Sequence, residues 1–122
     1  MRVVVTTVPL VDDSSPLATP AYIKSLLIEN NIECIGLDLN IEILNIVKNH
    51  PLSQELKDFF YGEKQHSSVA PVITNMLYHY VQRIMQYNPT HVLLSLFTID
   101  SQQFCKWLSA LFKNLYPDIE IV

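Results

Sequence analysis

Several features that identify common classes of protein are absent from this sequence of 122 residues. It has two glycines, and neither belongs to a phosphate-binding loop or a GxGxxG fingerprint, which disfavours classical dinucleotide binding. Its eight Lys and Arg residues are scattered and the net charge is −4, whereas nucleic-acid binding requires clustered cations. The apolar runs are far shorter than the roughly 20 residues that span a bilayer, and no signal peptide follows Met1. We therefore expect a cytoplasmic protein with neither a nucleic-acid nor a membrane partner.

Cysteine and histidine are also too sparse for most metal chemistry. Cys34 and Cys105 form no CxxC pair and no three-cysteine cluster, and both fall in apolar patterns typical of small buried side chains. The four histidines have no metal-ligand spacing among themselves, and no Ser-His-Asp grouping occurs. The sequence therefore predicts no metal ligand and no catalytic residue in this chain.

What the sequence does contain is enough apolar material for one packed domain covering residues 1–122. Apolar residues make up 49% of the chain and charged residues 16%, which is typical of a globular protein rather than a disordered one. A chain of this length buries roughly two-thirds of the surface that its unfolded form exposes.

The first strand and the loop after it organise the remaining chain. Val3, Val4 and Val5 follow one another without polar alternation, which is typical of a strand buried on both faces of a parallel sheet. A loop rich in Pro and Ser follows, and Thr19 and Pro20 suit the N-cap and first residue of a helix. Ligands of open α/β sheets bind at the carboxyl edge, where this loop lies.

The remaining pattern alternates between helices and strands. Helices are predicted at 21–30, 41–48, 52–61, 71–87 and 102–115, and strands at 33–37, 91–96 and 119–122. Asn40 is predicted to cap the second helix, and Asn30 and Asn31 are predicted to end the first, because asparagine tolerates the left-handed conformation. Apolar side chains at helical spacing are expected to face the core, among them Tyr22, Leu26, Phe59, Tyr80, Trp107 and Leu115. This order predicts an α/β, Rossmann-like or flavodoxin-like doubly wound parallel sheet of about four strands, with a helical insertion between strands two and three.

The last predicted strand reaches Val122, and a terminal strand without a neighbour is an edge that can pair with other chains. We therefore expect the sequence to be the amino-terminal part of a longer protein.

Four segments of the chain carry a resemblance to a known family. These segments are residues 15–27 with Pro-Leu-Ala-Thr-Pro-Ala-Tyr, 31–40 ending in Asp-Leu-Asn, 87–98 ending in Ser-Leu-Phe-Thr, and 113–122 with Tyr-Pro-Asp-Ile. They resemble the amino-terminal cobalamin-binding-like domain of class B radical SAM enzymes over nearly the whole chain. The sequence departs from that family at Ala18 and Thr19, where Gly-Leu is usual, and it lacks both the Gly-Gly after the last strand and an Asp-x-His-x-x-Gly motif.

The resemblance implies a cobalamin site at the carboxyl edge of the sheet. The candidate cofactor-binding residues lie in the three loops at that edge: Pro9, Leu10, Ser15, Pro16, Leu17, Asp38, Asn40, Ser95, Phe97 and Thr98. An apolar loop surface with a few hydroxyl groups suits a broad planar ligand. Ordinary turn and cap roles are the alternative, especially for Asp38 and Asn40.

Two functions from different classes follow. In the first, the chain binds cobalamin against a radical SAM barrel of the same parent chain, in a protein of the B12-dependent methyltransferase type that acts on a small-molecule or peptide substrate. The [4Fe–4S] cluster and S-adenosylmethionine would then belong to that barrel, because this sequence has no CxxxCxxC motif. In the second, the domain is a cofactor-free Rossmann-like scaffold for docking of a substrate or partner.

Overall fold

The fold is a four-stranded parallel sheet with helices on both faces. In the computed structural model, residues 1–9, 19–61, 66–95 and 102–122 are described, without the side chains of 19 and 20. The strands are β1 (Arg2–Thr7), β2 (Glu33–Leu37), β3 (His91–Ser95) and β4 (Glu120–Ile121), in the spatial order β2-β1-β3-β4. All three strand pairs are parallel, so the predicted α/β doubly wound sheet is confirmed.

The helices are α1 (Thr19–Glu29), α2 (Leu39–Asn49), α3 (Ser53–Phe60), α4 (Ala70–Met85) and α5 (Gln102–Leu115). A 3₁₀ turn, Ser67–Val69, leads into α4. Thus α2, α3 and α4 all lie between β2 and β3 in the chain. Among the described residues, none of the helices combines the length and apolar character that crossing a bilayer requires.

β1 occupies a central position because its valines suit burial on two sides. Val4 and Val5 are completely buried, and they point to opposite faces of the sheet because side chains alternate along a strand. The strand pairs with β2 from Arg2 to Thr6 and with β3 from Val3 to Thr7. The register therefore aligns Thr7 with Ser95 at the carboxyl edge.

Helix α1 covers one face of the sheet with a narrower apolar stripe than predicted. Ile23 and Leu27 pack against Val3, Val5 and Cys34. Tyr22 and Leu26, which were expected on the buried face, are 66% and 42% exposed. The prediction was wrong for these two because each lies one residue, about 100° around the helix axis, from Ile23 or Leu27, where the sheet no longer lies beneath the side chain.

Helix α2 begins earlier than expected and has a different cap. Asp38, rather than Asn40, is the N-cap residue, and its Oδ1 accepts a hydrogen bond from the Ile41 amide at 3.4 Å. Asn40 lies inside the first turn and is 3% exposed. The helix begins directly after β2 because Asp38 caps it one residue beyond the strand.

Asparagines in the left-handed region end two of the helices, as the sequence indicated for α1. Asn31 has φ 59° after α1, and Asn88 has φ 48° after α4. The Ile32 amide then donates to the Leu27 carbonyl at 2.8 Å, which closes the last turn. Both turns lead at once into strands, so the two asparagines set where β2 and β3 begin.

Helix α5 has the predicted bounds and packs on the face opposite α1. Phe104, Leu108 and Phe112 are buried, but Leu115, also expected to face the core, is 46% exposed. β4 is shorter than predicted, although Val122 continues its ladder by donating to the Val92 carbonyl at 2.9 Å.

Candidate functional site

The topological switch point of the sheet lies between β1 and β3. From β1 the chain passes to β2 on one side, and it later enters β3 on the other side of β1. Connections at such a point leave the sheet in opposite directions, which opens a crevice outside the carboxyl ends of the two strands. Thr7 and Ser95 end these strands side by side. The switch point is therefore the position at which this fold binds a ligand if it binds one at the sheet edge.

Thr7 is the centre of the polar structure at this edge. Its hydroxyl donates to Asp38 Oδ1 at 3.0 Å and accepts from the Asn40 amide at 3.1 Å, while its side chain and backbone are 1% exposed. The Tyr80 hydroxyl donates to the Thr7 carbonyl at 3.4 Å. These contacts join the end of β1 to the β2–α2 turn and to α4, so the edge is held together by groups from three parts of the chain.

Two predicted site residues, Asp38 and Asn40, belong to this internal network. Asp38 Oδ1 serves both the Thr7 hydroxyl and the first turn of α2, and Asn40 is buried. The turn and cap role, which the sequence left as the alternative, is what the described contacts show for Asp38. The Asp38 carboxylate therefore holds the turn between β2 and α2 in position.

The other candidate residues divide into two groups. Pro9 is buried just past β1, and Ser95 is partly buried at the end of β3, so both lie beside the switch point. The remaining candidates lie outside the described residues: Leu10, Ser15, Pro16, Leu17, Phe97 and Thr98.

Tyr80 is a site residue that sequence reasoning assigned only to the core. It is fully buried, and burial raises its pKa well above 10.0, with the charges of Asp38 and Glu42 acting in the same direction. The phenol therefore stays protonated and keeps its hydrogen bond to Thr7. Thr6 and Thr7 directly follow the buried valines, and they were the signal in the sequence that such a partner was needed, because buried hydroxyl and carbonyl groups require hydrogen-bond partners.

A charged cluster joins the first turn of α2 to α4. Glu42 Oε2 lies 2.8 Å from His79 Nε2, and Glu42 Oε1 accepts from Arg83 Nη2 at 2.9 Å. The hydrogen bond from Arg83 is the main cause of a lowered pKa at Glu42. The cluster therefore links α4 to the helix that begins at the carboxyl edge.

A separate cavity lies among α3, the 3₁₀ turn, α4 and α5. Its volume is about 520 Å³, and its lining is largely apolar: Phe59, His66, Ser67, Val69, Ala70, Ile73, Thr74, Leu77 and Trp107. Phe59 and Trp107 stack with ring centroids 5.5 Å apart and an interplanar angle of 30°. Phe59 and Trp107 were expected on the core faces of their helices, but the cavity could not be predicted, because it depends on how three helices pack.

Metal-binding groups are not assembled in the described part of the chain. No three His, Cys, Asp or Glu residues there are placed to hold an ion. All four histidines are described: His66 and His79 contact carboxylates, His50 accepts from the Leu52 amide, and His91 begins β3 at the amino edge. Burial raises the pKa of both Cys34 and Cys105, so neither thiol is activated.

Comparison with known proteins identifies no relative. No family model matches the chain, and neither a curated protein nor a solved structure is significantly similar to it.

Proposed function

We propose that the chain is a cobalamin-binding domain that holds the corrin at the switch point between β1 and β3. The single observation that carries the proposal is the strand order β2-β1-β3-β4, which sets Thr7 and Ser95, at the carboxyl ends of β1 and β3, side by side. The segments that follow these two residues in the chain contain most of the residues that the family resemblance implicates. A doubly wound sheet binds its ligand at the carboxyl ends of its strands, which supports the proposal.

The described residues fit a corrin in a limited way. Ser95, which is partly buried at the end of β3, offers a hydroxyl group to a broad, mostly apolar ligand, whereas Pro9 is buried and has little surface to offer. No histidine of the chain lies at the end of β1 or β3, so the proposal is for a corrin whose cobalt has no histidine ligand from this domain. Thr7 contacts both Asp38 and Tyr80, and these contacts fix the end of β1 next to the proposed site.

The larger protein in this proposal is a radical SAM enzyme of the methyltransferase type. Bound cobalamin would supply a cobalt–carbon bond for methyl transfer, while a radical SAM barrel of the same parent chain would carry the [4Fe–4S] cluster, S-adenosylmethionine and the small-molecule or peptide substrate. This domain's own part is to bind and orient the corrin against that barrel.

The second candidate function is a cofactor-free scaffold for docking. The observation that favours it is that a polar group at the carboxyl edge bonds within the domain: Asp38 Oδ1 accepts from the Thr7 hydroxyl and from the first turn of α2. Such a network stabilises the edge without any ligand.

An absorbance titration of hydroxocobalamin into the purified chain distinguishes the two functions. The cobalamin proposal predicts a saturable spectral shift that Ser95→Tyr weakens at least tenfold, since the bulky ring enters the crevice. His91→Tyr is the matched control, because residues 91 and 95 are on the same face of β3 and at opposite ends of the strand. We expect it to bind as the unmodified chain does. Equal binding by both variants, or no saturable shift with the unmodified chain, would contradict the proposed site.

A further inference from the structure

We propose that the cavity among α3, α4 and α5 binds a small, uncharged aromatic molecule that carries a hydroxyl group. This site is independent of the proposed cobalamin site, because the described residues of its lining belong to α3, α4, α5 and the segment 66–69, and none of them belongs to a strand. Its volume of about 520 Å³ lies within the range of sites that enclose small molecules.

The aromatic preference follows from the cavity wall. Trp107 stacks on Phe59, and Trp107 remains 41% exposed although it is the largest apolar side chain of α5. Val69 and Ile73, both 2% exposed, and Leu77 supply aliphatic contact around the rings. A planar aromatic molecule in this space would remove part of the exposed indole from water and add an offset-stacked pair, which contributes beyond its buried area.

The preference for an uncharged molecule follows from the lack of a charged partner. No Lys, Arg, Asp or Glu is among the described residues that line the cavity. The Thr74 hydroxyl donates to the Ala70 carbonyl at 3.0 Å and is therefore already used within α4. A charged ligand would lose its hydration here without gaining an ion pair, which is costly.

The hydroxyl requirement comes from His66. Its Nε2 lies 3.0 Å from Asp58 Oδ2, and because a carboxylate oxygen accepts, Nε2 carries the proton in this contact. In the neutral form of the ring that carries its proton on Nε2, Nδ1 has a lone pair and can accept a hydrogen bond from a ligand hydroxyl. Asp58 also accepts from Gln54 Nε2 at 3.0 Å, so the carboxylate that orients the histidine is itself held in place.

Fluorine NMR with 4-fluorophenol and fluorobenzene tests the proposal on the full chain. The two probes differ by the hydroxyl group alone. We expect saturable line broadening by 4-fluorophenol with a dissociation constant of about 1 mM, and binding of fluorobenzene at least about fivefold weaker. Trp107 is the only tryptophan in the chain, so its fluorescence must change over the same concentration range.

Variants at the cavity mouth locate the binding. Thr74 lines the cavity and is exposed, so Thr74→Phe narrows the mouth without entering the core, and it should weaken binding of 4-fluorophenol at least tenfold. Asn75→Phe is the matched control, because Asn75 is the next exposed residue of α4 and does not line the cavity. We expect this control to bind normally, and thermal unfolding should verify that both variants are folded.

His66→Phe tests the polar contact separately. This variant keeps an aromatic ring in the wall and removes the acceptor, so the two probes should bind it with equal affinity. The proposal is overturned if Thr74→Phe binds 4-fluorophenol as the unmodified chain does, if fluorobenzene binds the unmodified chain equally well, or if neither probe saturates by about 10 mM.

Discussion

The two faces of the sheet are packed in very different ways. On one face, α2, α3, α4 and α5 share a large core with Val4 and Val92, and that core includes fully buried rings such as Phe104. On the other face, α1 packs on a small group in which Val3, Val5 and Cys34 are the described buried residues. The strands are the same, so the difference comes from the helices that the chain places on each side.

The two faces should therefore differ in how easily their helices open locally. A helix that contributes a few partly buried side chains is held by much less apolar area than four helices that bury aromatic rings. Local opening therefore costs least on the α1 face, and the loop that enters α1 is one of those implicated in the proposed cobalamin site. The cavity proposed for an aromatic molecule lies instead within the well-packed layer.

The largest expected effect is on the well-packed face. Phe104→Ala should lower the free energy of unfolding by about 3–5 kcal/mol, because the ring contacts Phe60 and Tyr80 and leaves a cavity when removed. Urea unfolding measures this loss. The exposed neighbour Gln103, changed to Ala, should alter stability by less than about 0.5 kcal/mol. A loss of less than about 1 kcal/mol for Phe104→Ala would show that the core is not packed around this ring.

A smaller effect is expected on the α1 face. Leu27→Ala should cost about 2 kcal/mol, since this side chain is only partly buried against the sheet. Leu26→Ala is the matched control one residue away, where the side chain is 42% exposed, and we expect a loss below about 0.5 kcal/mol. Hydrogen exchange should also be faster in α1 than in α4. Equal protection of the two helices would contradict the comparison.

An intermediate effect is expected at the carboxyl edge of the sheet. Thr7→Val should lower the free energy of unfolding by about 1–3 kcal/mol, because it keeps the side-chain shape but removes one hydrogen bond to Asp38 and one from Asn40. Asp38→Asn keeps an oxygen that can accept from the Thr7 hydroxyl and from the Ile41 amide, so its loss of stability should be smaller. Thermal or urea unfolding of both variants gives the comparison. If Thr7→Val is as stable as the unmodified chain, the hydrogen bonds of Thr7 do not stabilise the carboxyl edge.

The smallest effect is the pH dependence of the Glu42 cluster. Arg83 and His79 lower the pKa of Glu42 below its ordinary 4.5, so the folded state binds its proton less readily than the unfolded state does. Its stabilisation is therefore present above pH 4.5 and is lost as the pH falls through the lower folded-state value. Glu42 is 36% exposed, so we expect less than about 1 kcal/mol.

Glu42→Gln checks the sign of this effect. At pH 7 the variant should be slightly less stable than the unmodified chain, and the two stabilities should converge as the pH falls below 4.5. Asn45→Gln, an uncharged change at an exposed position of the same helix, should alter stability equally at both pH values. A difference that grows on acidification would contradict the assignment.

Local pattern was sufficient for the order and type of the elements. The unalternating valines predicted a two-sided buried strand, the bounds of β2 and α5 were predicted without error, and Asn31 ends α1 in the left-handed region as indicated. These features depend on neighbours within a few residues, where backbone sterics and hydrophobic periodicity act directly.

The errors share a different cause. Tyr22, Leu26 and Leu115 have helical spacing that fits a buried stripe, yet they lie beyond the edge of what their helices cover. Asp38 and Asn40 are both good cap residues, and which of them caps α2 depends on the contact of Asp38 with Thr7, thirty-one residues away. The spacing of apolar residues predicts how wide the apolar face of a helix is. It does not predict how much of that face is covered by the sheet or by neighbouring helices.

The sequence by itself determined that this chain forms alternating strands and helices around a buried central strand, since the residues that specify this are adjacent in the chain. Only the tertiary structure decided that four helices gather on one face and one on the other. It also brought Thr7, Asp38 and Tyr80 together and left a cavity between Phe59, His66 and Trp107. The physical reason is that these contacts join residues far apart in sequence, and their geometry follows from packing that no local pattern encodes.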